Sequence, residues 1–93
     1  MINVVRLATS AQKDLRHVPT QIARKLRAWI DDVQINGLEV ARRRLGYHDE
    51  PLHGERRGQR SIRLNRAWRA IYIVTSDGDL ELVEVREVNK HDY

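Results

Sequence analysis

The hydrophobic period of this 93-residue chain changes halfway along, and that change restricts the fold more than any other feature. Ile22, Leu26, Ile30 and Val33 step by four, four and three, which makes one apolar stripe on a helix. Arg24, Arg27, Asp31 and Gln34 fall largely outside that stripe. From Gln59 to Leu64 the residues alternate instead, with Ile62 and Leu64 inward and Ser61 and Arg63 outward. Ala67 to Thr75 is apolar on both faces, as in a central strand covered on both sides. Ser76-Asp77-Gly78-Asp79 is a hairpin signal, and Leu80 to Val88 completes a meander whose apolar run is broken by Glu81, Glu84 and Glu87.

The remaining segments fit around these two halves. Ile2 to Leu7 reads as a short strand, and Thr9-Ser10 with Gln12 reads as a capping box opening a brief helix over Ala11 to His17. Val18 precedes a proline and is pushed out of helical geometry, while Pro19 suits the first position of the next helix. Asn36-Gly37 ends or interrupts that helix, and Leu38 to Leu45 adds a further helical piece with Leu38, Ala41 and Leu45 on one side. Gly46 to Gly58 reads as a loop and Asn65-Arg66 as a tight turn. The expectation is an α+β domain of order β-α-α-β-β-β spanning residues 1–93, a helical hairpin packed on a small antiparallel sheet.

Composition narrows the function. Without cysteine there is no disulfide framework, thiolate zinc site or cysteine nucleophile. The apolar runs are too short for a membrane span and the amino terminus lacks the apolar stretch of a signal peptide, so a cytoplasmic protein is the expectation. Fourteen of the seventeen basic residues are arginine, and they are unevenly placed. Arg24 to Arg69 holds twelve basic and six acidic residues, a net +6, whereas Ala70 to Tyr93 is net −4. A basic middle points to a polyanion, and arginine favours phosphate because its planar fork binds oxyanions bidentately.

Phosphate-cradling glycine loops, nucleophile elbows and paired-histidine metal motifs are missing. His48, Asp49, Glu50 and His53 crowd together, but their spacing fits no metal-ligand arrangement and a solvated loop explains them better. His17 and His48 read as surface. The segment from His53 to Arg69 is different, with six arginines in seventeen residues, several inside strands. An arginine within a strand reaches solvent, pairs with an acid or lines a polar cleft. Arg60 and Arg66 read first as surface. Arg63 and Arg69 are placed so that neighbouring strands can bring them onto one face, which favours a cleft. Trp68 and Tyr72 read as packing before contact.

The order Pro51-Leu52-His53-Gly54, Ser61-Ile62-Arg63-Leu64-Asn65, Trp68-Arg69-Ala70-Ile71-Tyr72 and Glu87-Val88-Asn89-Lys90-His91-Asp92-Tyr93 resembles the RelE superfamily of bacterial toxins. It is most similar to the RelE and HigB mRNA interferases of type II toxin–antitoxin pairs. The resemblance implies cleavage of messenger RNA in the ribosomal A site, with the ribose 2′-hydroxyl as nucleophile and no metal or other cofactor. It also implies a cognate antitoxin that holds the toxin inactive. Residue by residue, it implies His53 as the basic residue beside the family's glycine, Arg69 facing the scissile phosphate, and Arg63 near another active-site cation. Tyr93 corresponds to a terminal tyrosine that stacks on a base or assists proton transfer. His53 or His91 would supply acid and base, since imidazole titrates near neutrality. Arg56, Arg57, Arg60, Arg86 and Lys90 complete the implied RNA-binding set, with Arg86 and Lys90 competing for the basic position in the last strand. Two departures stand out: Glu50 occupies the place of a histidine usual in the HigB branch, and His91-Asp92-Tyr93 orders its groups differently. The competing readings are a ParE-like toxin that acts on DNA gyrase without nuclease activity, and a non-catalytic RNA-binding module.

Overall fold

The computed structural model describes residues 1–90. Among them the elements run β1 (Val5–Leu7), α1 (Thr9–Asp14), α2 (Thr20–Asn36), α3 (Leu38–Arg42), β2 (Glu50–Pro51), β3 (Arg60–Arg63), β4 (Trp68–Asp77) and β5 (Leu80–Lys90), with short 3-10 turns at Leu15–His17, Leu45–Tyr47 and Gly54–Arg56. The strands form one sheet in the order β1-β5-β4-β3-β2. This is an α+β fold, three helices on a five-stranded sheet.

The sheet is mixed, not antiparallel as expected. β1 lies parallel to β5, pairing Val5 with Val83 and Leu7 with Val85. The expected strand over Ile2 to Leu7 is confined to Val5–Leu7, and periodicity contains nothing about its partner; the helices supply the crossover that a parallel neighbour requires. The expected loop from Gly46 to Gly58 also contains a strand, since Glu50 and Pro51 pair with Ser61 and Arg60.

The α2 stripe holds as read for Ile22, Leu26 and Val33, which are buried, while Ile30 is half-buried. Trp29 belongs to the same face, and its ring centroid lies 5.1 Å from that of Tyr72 on β4. Together with Ile62, Leu64, Ala70, Val83, Val85 and Val88 they make one core between helices and sheet. Gly37 adopts a φ of +89°, which L side chains rarely take, and lets α2 turn into α3. α3 stops at Arg42, so Leu38 and Ala41 are buried but Leu45 is 90% exposed, contrary to the expected apolar side.

α1 also begins earlier than expected, at Thr9, with Ala8 as its cap and no side-chain capping bond. Ser10 serves a different purpose. Its hydroxyl donates to the carbonyl of Arg86 at 2.5 Å, and the Asp14 carboxylate accepts from the Val88 amide at 2.9 Å. β1 has ended by this point, so α1 satisfies backbone groups on the β5 edge that would otherwise lack partners. These bonds hold a bulge. Across β4 and β5, Tyr72 faces Val85 but Ile71 faces Glu87, which leaves Arg86 as the extra residue. The shift keeps both Val85 and Val88 in the core and sets Asn89 opposite Arg69.

Candidate functional site

Tyr72, Ala70 and Ile62 face the helices, so strand alternation places Arg63, Arg69, Ser61, Glu87 and Asn89 on the other face of the sheet. Arg63 and Arg69 are direct partners across the β3–β4 ladder. Glu50 is the β2 partner of Ser61 and joins the same face from the edge. His48, Glu50, Ser61, Arg63, Asn65, Arg66, Trp68 and Arg69 line a small cleft of about 30 Å³. Such a space takes a compact polar group of a few atoms, with the rest of a larger ligand outside it.

Arg69, which lines the cleft, is held from outside it by a chain of polar contacts. The Asn89 side-chain oxygen accepts from Arg69 Nε at 3.3 Å, and its amide nitrogen donates to Glu87 Oε1 at 3.0 Å. Arg56 donates to both Glu87 oxygens, at 2.8 and 3.3 Å, and to the Gln59 side chain at 2.9 Å. The Arg56 hydrogen bond, opposed by burial and aided by the charges of Arg56 and Arg69, holds the Glu87 carboxyl below its ordinary range. Arg69 therefore has its Nε engaged, which leaves its terminal nitrogens for an anion. At the turn above, the Asn65 side chain accepts from the amides of Ala67 and Trp68, both at 2.8 Å, so the expected turn is closed by an Asx-type contact.

Arg60 belongs elsewhere. It pairs with Tyr72 across the ladder, on the helix side, and its Nε donates to Asp49 at 2.7 Å. The Asp49 side chain is fully buried and also accepts from the Tyr72 hydroxyl at 2.7 Å, which in turn accepts from Arg42 at 3.2 Å. Burial pushes the Tyr72 phenol well above its ordinary value. Arg60 is thus the counter-ion of a buried carboxylate on the helix side of the sheet, on the face opposite to Arg63 and Arg69. Tyr72 is packing, as expected.

The other expected residues are dispersed. His53 is exposed, ahead of the 3-10 turn, and does not line the cleft; β2 ends at Pro51 and the chain turns away there. Arg57 is exposed at the end of that turn. Arg86 is ion-paired with Glu84, which also accepts from Arg6 at 2.7 Å. Lys90 lies opposite Trp68, its ammonium 5.8 Å from the ring centroid, on the side away from Arg69. Neither contender for the last-strand basic position sits beside Arg69; Asn89 does. His91 and Tyr93 lie outside the described residues. Sequence reasoning passed over Glu50 and His48 as loop. The signal available was the pairing of Glu50-Pro51 with the strand that carries Arg63, which no local pattern announces.

No protein-family profile matches the chain, and no curated protein matches it. Solved structures do. A YoeB/ParE toxin from Agrobacterium tumefaciens superposes with a TM-score of 0.72 at 22% identity, over 96% of this chain and 99% of that one. The toxin–antitoxin complex RelBE2 from Mycobacterium tuberculosis gives 0.60 at 25%, over 98% and 100%. The archaeal RelE-RelB complex from Pyrococcus horikoshii gives 0.69 at 17%, over 97% and 96%. The fold is that of the RelE/ParE superfamily of toxins of toxin–antitoxin systems.

Proposed function

We propose that this chain is the toxin of a type II toxin–antitoxin pair and acts as a metal-independent endoribonuclease on ribosome-bound messenger RNA. One observation carries the reading: Arg63 and Arg69 are cross-strand partners on a solvent-facing sheet, with Glu50 on the same face. Like charges placed directly opposite each other repel, and a bound phosphate group relieves that repulsion.

The chemistry follows from the groups present. Glu50 takes the proton of the ribose 2′-hydroxyl, and the 2′-oxygen attacks the adjacent phosphorus. The bond from phosphorus to the 5′-oxygen breaks, His48 gives that oxygen a proton, and a 2′,3′-cyclic phosphate remains. Arg63 and Arg69 neutralise the charge that builds on the phosphoryl oxygens, the task a metal would otherwise perform. Asn89 and Glu87 position Arg69 without touching the substrate. The toxin reading brings with it a cognate antitoxin, a cytoplasmic setting and inhibition of translation. No helix among the described residues is long and apolar enough to cross a membrane.

Primer extension on a translated message, with and without the protein, tests this. The expected result is cleavage on ribosomes that disappears when the scissile nucleotide carries 2′-deoxyribose. Intact transcripts together with poisoned gyrase and broken DNA would replace the reading with a ParE-like one.

A further inference from the structure

A second basic cavity, of about 410 Å³, borders the cleft and is lined by Arg42, Arg43, Arg44, Leu45, His48 and Asp49. His48 lines both spaces. It is also the one non-glycine residue with a left-handed backbone among those described, at φ 44°. In this conformation His48 caps the 3-10 turn Leu45–Tyr47, its amide donating to the Leu45 carbonyl, which fixes the backbone between the two spaces. The cavity's volume falls within the range of about 300–1,000 Å³ typical of small-ligand sites.

The cations here are arranged for an anion. Arg44 is held bidentately by Asp32, with both contacts at 3.0 Å, and Arg42 is held by the Tyr72 hydroxyl. Arg43 is exposed, and its side chain makes no hydrogen bond or ion pair within the described residues. The acids do not oppose an incoming anion: Asp49 is buried against Arg60, and Asp32 is paired with Arg44. Beside the three arginines, the nearly fully exposed Leu45 offers an apolar surface.

We propose that this cavity is a second RNA subsite, which takes the phosphodiester backbone flanking the scissile bond while Leu45 contacts a base face. It rests on the ribonuclease reading above. RNA is favoured over an acidic peptide because His48 lines both this cavity and a cleft sized for a single compact group, so a polymer of evenly spaced phosphates can reach from one to the other.

Fluorescence anisotropy of the whole protein with labelled oligoribonucleotides carrying 2′-deoxyribose at the scissile position tests it. Three-nucleotide and nine-nucleotide strands are compared, each across a salt series. The nine-mer is expected to bind about tenfold or more tightly than the three-mer, a gain of about 1.4 kcal/mol or more. Arg43→Gln is expected to lose most of that gain and to lower the salt slope by about 0.7, the value for one phosphate contact on a single strand. Arg43→Glu should lose all of it, with melting temperature confirming that both variants fold. Equal affinity for the two strands in the unsubstituted protein, or an unchanged gain and slope in Arg43→Gln, would overturn the subsite. A 12-residue polyglutamate peptide serves as the contrast: if the Arg43 variants weaken the peptide and spare the RNA, the cavity is a protein-docking surface instead. Failure of the ribonuclease reading is separable, because it shows as unaltered three-mer binding in Arg69→Ala.

Discussion

Arg69 Nε meets the side-chain oxygen of Asn89 at 3.3 Å across β4 and β5, while Arg63 stands directly opposite Arg69 on β3. Among the described residues neither arginine forms an ion pair, although Glu87 is close enough to feel the Arg69 charge. The site therefore holds two cations side by side, with one of them steered by a neutral amide. A carboxylate in the place of Asn89 would neutralise Arg69 and weaken its hold on a phosphate.

Arg69→Ala is expected to remain folded, because its loss removes one long hydrogen bond and also a like-charge repulsion. Cleavage should fall on the order of 3–4 kcal/mol in barrier, roughly a hundred- to a thousandfold. Arg69→Lys should restore only part of it, since an ammonium cannot reproduce the guanidinium fork. Melting temperature and cleavage rate measured together check this; a well-folded, fully active Arg69→Ala protein removes Arg69 from the site.

Glu50→Gln tests the assigned base. Glu50 is exposed at the sheet edge and has no core contact to lose. The expected effect is a loss of roughly 10²–10⁴ in rate with unchanged melting temperature. Single-turnover cleavage on programmed ribosomes reads it, and a wild-type rate assigns the proton to another group.

The Arg56–Glu87 contact predicts a pH dependence of stability. Arg56 favours the ionised Glu87, so the folded carboxyl titrates below its ordinary 4.5. The contribution is complete above that unfolded value and is lost as pH falls through the lower folded one. Melting temperatures of the unsubstituted protein and Glu87→Gln should differ at neutral pH and converge in acid. A gap that widens on acidification contradicts the sign.

Leu26→Ala should act through stability alone. Leu26 is buried in the α2 stripe, and its truncation leaves a cavity costing about 2–5 kcal/mol. Denaturant unfolding measures the loss; residual activity should follow the folded fraction, whereas Arg69→Ala separates the two.

Much of the frame was legible from local pattern. The stripe from Ile22 to Val33, the alternation around Ile62 and Leu64, the turn at Asn65 and the hairpin at Gly78 all appear where period and turn chemistry place them. Those features depend on neighbours a few residues apart. The antiparallel pairing of β3 with β4 follows from the short turn, and with it the meeting of Arg63 and Arg69. Leu45 was misjudged because spacing carries the apolar face onward after the helix itself has stopped at Arg42.

By itself, the sequence determined which residues of α2, β3 and β4 face inward, where the chain reverses, and that two strand arginines share a surface, because side-chain polarity and backbone preference act over a few residues. Only the tertiary structure decided that β1 runs parallel to β5, that Glu50 enters the sheet edge, and that Arg60 turns away to neutralise Asp49. It alone decided that the bulge at Arg86 sets Asn89 against Arg69. The three-residue step from Val85 to Val88 is the only local trace of that bulge, a break in the period of two. What holds it in place is Ser10 and Asp14, bonding to β5 from more than seventy residues away. Contacts at that range form when a compact core brings distant backbone groups together and each buried donor or acceptor must find a partner there.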